Sequence, residues 1–337
     1  MKIAKTKRIL TFLCACAMIF SLSACASVRS DNGDISIVCT AFPQYDWLRS
    51  VIGESEGFSL TLLVANGSDL HSYQPTVADR AEIAECDILV TIGGESDNWA
   101  EKMLGDSEKT HLVRLFDVPH INLKEVSEEG IVSEHTHEHD DDEHHDHDHE
   151  HEHDHDHGAY DEHIWLSIQN ARACVEYFKE LLIELSPSNA DKLSKNTDEY
   201  TAELSALALE YEDLAHKEQK RLIFADRFPF AYLTDEFGIE YCAAFSGCST
   251  ENNADFSTIT RLSERVREWN VNKIFVTETS DGRLANGVIA AAKVDGAEVL
   301  TLDSMQSLTR ARIASGEDYL SIMRSNLGVL QKALSSN

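Results

Sequence analysis

Apolar and polar positions succeed one another along this chain in an order that predicts strand after helix. From residue 35, "ISIVCTAF" is an apolar run of strand type, and "PQYDWLRSVIGE" carries its apolar residues at helical spacing. The alternation returns with "FSLTLLVA" as strand, "TVADRAEIAEC" as helix, "DILVTIGG" as strand, "NWAEKML" as helix and "HLVRLFDV" as strand. Unbroken apolar strands between amphipathic helices imply a parallel sheet covered on both faces.

The pattern breaks from Glu134 to Gly158, where histidines and carboxylates alternate without an apolar face. Beyond the break, "HIWLSIQNARACVEYFKELLIEL" is predicted helical. Pro187 then opens a longer segment with Leu193, Thr197, Tyr200, Leu204, Leu207, Tyr211 and Leu214 at three- and four-residue spacing, running to about Lys217. A second series follows: "KRLIFA", "PFAYLTDEFG", "IEYCAAF", "FSTITRLSERVREWN", "NKIFVTETS", "GRLANGVIAAAKVDG", "AEVLTLD" and "YLSIMRSNLGVLQKAL". The fold class expected is therefore α/β: two parallel-sheet lobes, 35–186 and 219–337, joined by a long rigid helix over 187–218. Ligands of open α/β sheets bind beyond the carboxyl ends of strands, so the cleft between lobes is the place to look.

Charge narrows the partners. The formal net charge is −30 over 337 residues, and about half of that excess, fourteen carboxylates with no Lys or Arg, falls between Glu134 and Glu162. Such a chain does not hold nucleic acid by phosphate neutralisation, and cations are its natural partners. The first residues carry Lys2, Lys5, Lys7 and Arg8, then an apolar stretch, then Leu22-Ser23-Ala24-Cys25. This is the pattern of a secretory signal over 1–24, with small residues before Cys25 that resemble a bacterial lipobox, and a tether over 25–34. A retained anchor is the alternative, although about 16 apolar residues is short for a span. Either way the remainder is expected outside the cytoplasm, tethered to a membrane.

Export permits disulfides among Cys39, Cys86, Cys174, Cys242 and Cys248. Cys242 and Cys248 share the short segment "YCAAFSGC" and are the expected pair. Cys39 and Cys86 lie on or beside neighbouring strands, where a bridge is conceivable, and Cys174 on a helix is expected buried and free.

Four residues stand where a cleft site would form. His71, in "NGSDLHSYQPT", lies in a loop after a strand, and His163, in "YDEHIWLS", opens the helix after the tract. Glu278, in "IFVTETS", and Asp303, in "VLTLDSM", each close a strand of the second lobe. Two imidazoles from one lobe and carboxylates from the other suit one divalent ion. Each also has a structural role open to it, since carboxylates suit helix N-termini and a histidine beside an aspartate is a common cap.

Several longer stretches carry a resemblance. "SDLHSYQPTVADRAEIAECDILVTIGG" resembles the metal-binding loop, helix and strand of the solute-binding lipoproteins that serve zinc and manganese ABC importers. "DEHIWLSIQNA" is similar to that family's second histidine motif, "LSPSNADKLSKNTDEYTAEL" to its connecting helix and "GEDYLSIMRSNL" to its C-terminal helix. The likeness implies His71 and His163 as ligands from the first lobe, Asp303 as a carboxylate ligand from the second, and Glu278 at an acidic position bordering the site. It departs at the family's third ligand, a histidine or glutamate after the first strand of the second lobe. Here "RLIFADRFPFAYL" puts Arg227 at that place, and a guanidinium has no lone pair for a metal. Three accounts are open: Arg227 pairs with Asp303 or Glu278 and water completes the site, Asp226 shifts in as ligand, or a histidine of the tract supplies the donor. The first is favoured, because neighbouring carboxylates would welcome the cation.

The tract itself (His135, His137, His139, His144, His145, His147, His149, His151, His153, His155 and His157) contains the letters of the HExxH protease motif at His149. That motif needs a helix presenting both histidines on one face, which this charged segment has no apolar face to support. The tract is expected to collect or sense zinc weakly as an accessory. The resemblance implies no enzyme but a monomeric, lipid-anchored protein that captures Zn2+ and hands it to an ABC permease and its ATPase. Mn2+ or iron is the alternative cargo. A surface zinc-dependent hydrolase using Glu278 as base is a more distant alternative, and a further role as adhesin is compatible with transport.

Overall fold

The computed structural model describes residues 33–127, 129–132, 160–217, 220–248 and 255–335. The signal segment with Cys25 and the tract with its eleven histidines lie outside them. In the compact unit that begins at Ile35, the first strand-helix series folds as predicted. Strands β1 (Ile35–Cys39), β2 (Phe58–Leu62), β3 (Ile88–Thr91) and β4 (His111–Arg114) form a wholly parallel sheet in the order β2-β1-β3-β4. Helices α1 (Phe42–Ile52), α2 (Val77–Glu85) and α3 (Asn98–Leu104) connect them. Local chemistry sets their ends: Thr76 Oγ1 accepts from Asp79 N, and the Asp79 carboxylate returns to Thr76 N at 2.6 Å, a capping box at the start of α2.

The segment predicted as one helix from His163 is divided. Ile164–Leu166 make a short 3-10 turn, and Ser167, accepting from Asn170 N, caps α4 (Ile168–Leu185). The cap leaves His163 outside the helix. The long helix α5 (Ala190–Ala215) buries the seven positions that its periodicity marks. It packs on α1, α4 and the C-terminal helix. The second series repeats the first sheet's order: β5 (Arg221–Phe228), β6 (Glu240–Ser246), β7 (Lys273–Thr277) and β8 (Glu298–Leu302) lie parallel as β6-β5-β7-β8. Helices α6 (Ala231–Glu236), α7 (Phe256–Trp269), α8 (Arg283–Ala292), α9 (Arg310–Ala314) and α10 (Tyr319–Leu334) complete the chain.

Strand periodicity divides the apolar residues by face. Ile37, Val90, Phe224 and Phe275 belong to one continuous core that runs from the first sheet to the second through α4, α5 and α10. The opposite faces make separate clusters, Val38 and Leu89 under α2 and α3, and Ile223 and Ile274 under α7 and α8.

The same division corrects the disulfide expectations. All five described cysteines are free thiols. Cys242 packs in the outer cluster beneath α7, whereas Cys248 lies past the end of β6 on the side of His163, so the expected pair is not made. Cys39 faces the shared core and Cys86 the outer cluster, so they are not bridged either. Cys174 is fully buried and free, as its helical position suggests.

Candidate metal centre

His71 is presented by a short, tightly constrained loop. Asp69 caps a 3-10 turn over Leu70–Ser72 by accepting from His71 N at 2.9 Å, and Leu70 anchors the turn in the core. Gly67 makes the loop possible, with φ +81° and a Cβ position only 3.1 Å from Thr309 Cγ2. His163 is fully buried, and one carboxylate braces it twice: Asp161 Oδ1 accepts from the backbone N at 2.8 Å and meets ring Nδ1 at 2.7 Å. Asp161 is in turn fixed by Tyr232 Oη, which donates to its carbonyl at 2.8 Å, and Trp165 packs edge-on to the imidazole.

These constraints aim the two rings at each other. His71 Nε2 and His163 Nε2 stand 3.3 Å apart. The pair shares its protons unequally. Burial alone would lower the His163 pKa, but the Asp161 carboxylate and a hydrogen bond to Cys248 raise it to about 10. Burial and the His163 charge push His71 down to about 4. Only one of two facing imidazoles carries a charge comfortably, and Asp161 decides which.

The third group beside them is one that sequence reasoning assigned elsewhere. Cys248 Sγ and the ring nitrogens of His71 and His163 all lie within 4.8 Å of one another. Gly247 allows this approach: a Cβ there would meet the Phe228 carbonyl oxygen at 2.8 Å and His163 Cε1 at 3.0 Å.

The carboxylates expected from the second lobe are at the strand ends but are committed to other partners. Asp303 Oδ1 accepts from Met305 N at 2.8 Å and Oδ2 from Arg312 Nη2 at 2.6 Å. Glu278 accepts from Ser304 N, Ser304 Oγ and Ser307 Oγ at 2.8 to 3.0 Å, while burial and the nearby Asp303 push its pKa up. Both hold the loop after β8, and neither joins the donor group of His71, His163 and Cys248. Asp226 likewise accepts from Thr277 Oγ1 at 2.6 Å and Thr277 N at 3.0 Å. Arg227 pairs with neither Asp303 nor Glu278: it crosses to Asp69, the cap of the His71 turn, with both side chains mostly buried. A register shift in β5 between Phe224 and Arg227 accompanies this reach.

Residues 37–333 match the family model described as zinc-uptake complex component A, periplasmic (ZnuA). The chain belongs to that family. Similar ZnuA-type relatives include the zinc-binding lipoprotein AdcA of Streptococcus pneumoniae, 27% identical over 329 residues that cover 97% of this chain and 60% of AdcA. Another is the high-affinity zinc uptake system protein ZnuA of Bacillus subtilis, 28% identical over 311 residues covering 91% of this chain and 90% of that one. The Zn(II)-bound ZnuA-like domain of S. pneumoniae AdcA superposes with a TM-score of 0.68 at 24% identity, over 90% of this chain and 100% of that chain. At that identity the likeness is one of fold. The chain thus spans about 60% of the length of AdcA, and no described helix is long and apolar enough to cross a membrane.

Proposed function

We propose that this protein is the extracytoplasmic solute-binding component of a zinc importer, which captures Zn2+ between His71 and His163 and passes it to an ABC permease with its ATPase. One observation carries the reading. Two Zn–N bonds of about 2.05 Å at a tetrahedral angle put the nitrogens about 3.3 Å apart, and the two Nε2 atoms are separated by 3.3 Å. Asp161 completes the carboxylate-histidine arrangement that orients a ligating ring and raises its basicity. Relatives named for zinc uptake, AdcA and ZnuA, support the same cargo. The ion is cargo, so the site's task is reversible coordination, and the ion leaves the site chemically unchanged.

The segment ahead of Ile35 serves, in this reading, as a signal and lipid anchor through Cys25, and the histidine tract as an accessory collector of ions. Calorimetric titration of zinc, with manganese as competitor, tests the whole. A single tight equivalent that survives deletion of 134–157 and vanishes in His71→Ala is the expected outcome. Loss of tight binding with the tract, or its persistence in His71→Ala, would refute the cleft site.

A further inference from the structure

We propose that Cys248 is a thiolate ligand of the cargo ion, and that the resulting set of two imidazoles and one thiolate restricts the cargo to zinc and other thiophilic ions against manganese. The inference rests on the reading that His71 and His163 hold the ion. Its own basis is the supply of donors from the second lobe. Asp226, Glu278 and Asp303 are each satisfied by two or three hydrogen bonds inside that lobe, and Arg227 is a cation turned towards Asp69. Cys248 is the group that this lobe places with the imidazoles.

The approach is built by its neighbours. Gly247, buried and without room for a side chain, lets the turn after β6 close on His163. Cys248 itself is half-buried. The other described thiols, Cys39, Cys86, Cys174 and Cys242, are buried in apolar clusters. A tetrahedral ion with Zn–N bonds near 2.05 Å and a Zn–S bond of about 2.3 Å needs nitrogen and sulfur about 3.6 Å apart, which lies within the present spacing. The ion displaces the thiol proton to solvent on binding, and water takes the remaining position. Thiolate with imidazole favours zinc, cadmium and Cu(I), whereas manganese prefers oxygen donors.

Cobalt(II) and zinc test the assignment on the chain from Ala26 onward. The Co(II)-loaded protein is expected to show a near-ultraviolet sulfur-to-cobalt charge-transfer band, absent from Cys248→Ser and from Cys248→His. Stoichiometric zinc is expected to shield Cys248 from alkylation. Cys248→Ser should lose at least about 100-fold in zinc affinity, as even outer partners of ligands can contribute that much, and should narrow the preference for zinc over manganese. Cys248→His, which restores a nitrogen donor, should hold zinc and so shows that the variants fold. A band that persists in Cys248→Ser, no band in the parent, or a Cys242–Cys248 disulfide in the purified protein would overturn the assignment. If His71→Ala keeps tight zinc as well, the cleft reading itself fails; if only Cys248→Ser keeps it, the thiolate alone is excluded.

Discussion

The two lobes share a strand order and differ in what they leave available at their strand ends. In the first, His71 and His163 each have a backbone N held by an aspartate, and each presents Nε2 to the other. In the second, three carboxylates at or near strand ends are held by hydrogen bonds within that lobe, and the cation among them reaches back to brace the His71 turn. A carboxylate at the mouth of a parallel sheet is thus not a donor by position alone; the direction in which its hydrogen bonds turn it counts as well. Two similar sheets can divide the labour, one presenting paired imidazoles and the other a frame that brings the Cys248 thiol beside them.

The comparison can be broken experimentally. His163→Gln removes the braced ring and should weaken zinc beyond about 100-fold in a direct titration; a change under tenfold would equalise the lobes. Asp161→Asn keeps the ring but loses the carboxylate, with an expected loss of about 10- to 100-fold. Zinc at a hundred times its Kd should stabilise the protein by about 2.7 kcal/mol. That corresponds to a rise of roughly 4 °C in Tm for a chain of this size, visible by scanning calorimetry and absent from His163→Gln. Arg227→Gln frees Asp69 and should cost about fivefold in affinity, the equivalent of ~1 kcal/mol for a mostly buried pair. Glu278→Gln and Asp303→Asn should change affinity least, by less than about threefold, while lowering stability by about 1 kcal/mol or more through their loops. A large affinity loss in either would return the carboxylates to the site.

Much of this was legible in the sequence. Apolar runs marked the eight strands of the described residues, and the spacing from Leu193 to Leu214 marked the buried face of α5 residue by residue. His71 and His163 were legible because each sits at a turn between a strand or tract and a capped helix. Cys248 was not. Its distance from Cys242 is even, which along a strand places both on one face, and the turn at Gly247 that redirects it has no signature stronger than one glycine. Arg227 and Asp69 are 158 residues apart, and the serines that occupy Glu278 lie in an irregular loop. Such pairings depend on tertiary geometry, which a hydropathy pattern does not encode.

The continuous core has a mechanical consequence. Because one apolar mass runs through both sheets and α5, drawing the halves apart would hydrate side chains such as Tyr319 and Trp47, which pack edge-on across them, at about 1.5–3 kcal/mol for each one exposed. Few molecules would reach such a state by thermal motion. Releasing the segment from Asn66 to Ser72 would disturb less: it would free Leu70 from the core, the bond from Gly67 N to the Leu308 carbonyl and the Asp69–Arg227 pair, and would leave the spine behind them intact.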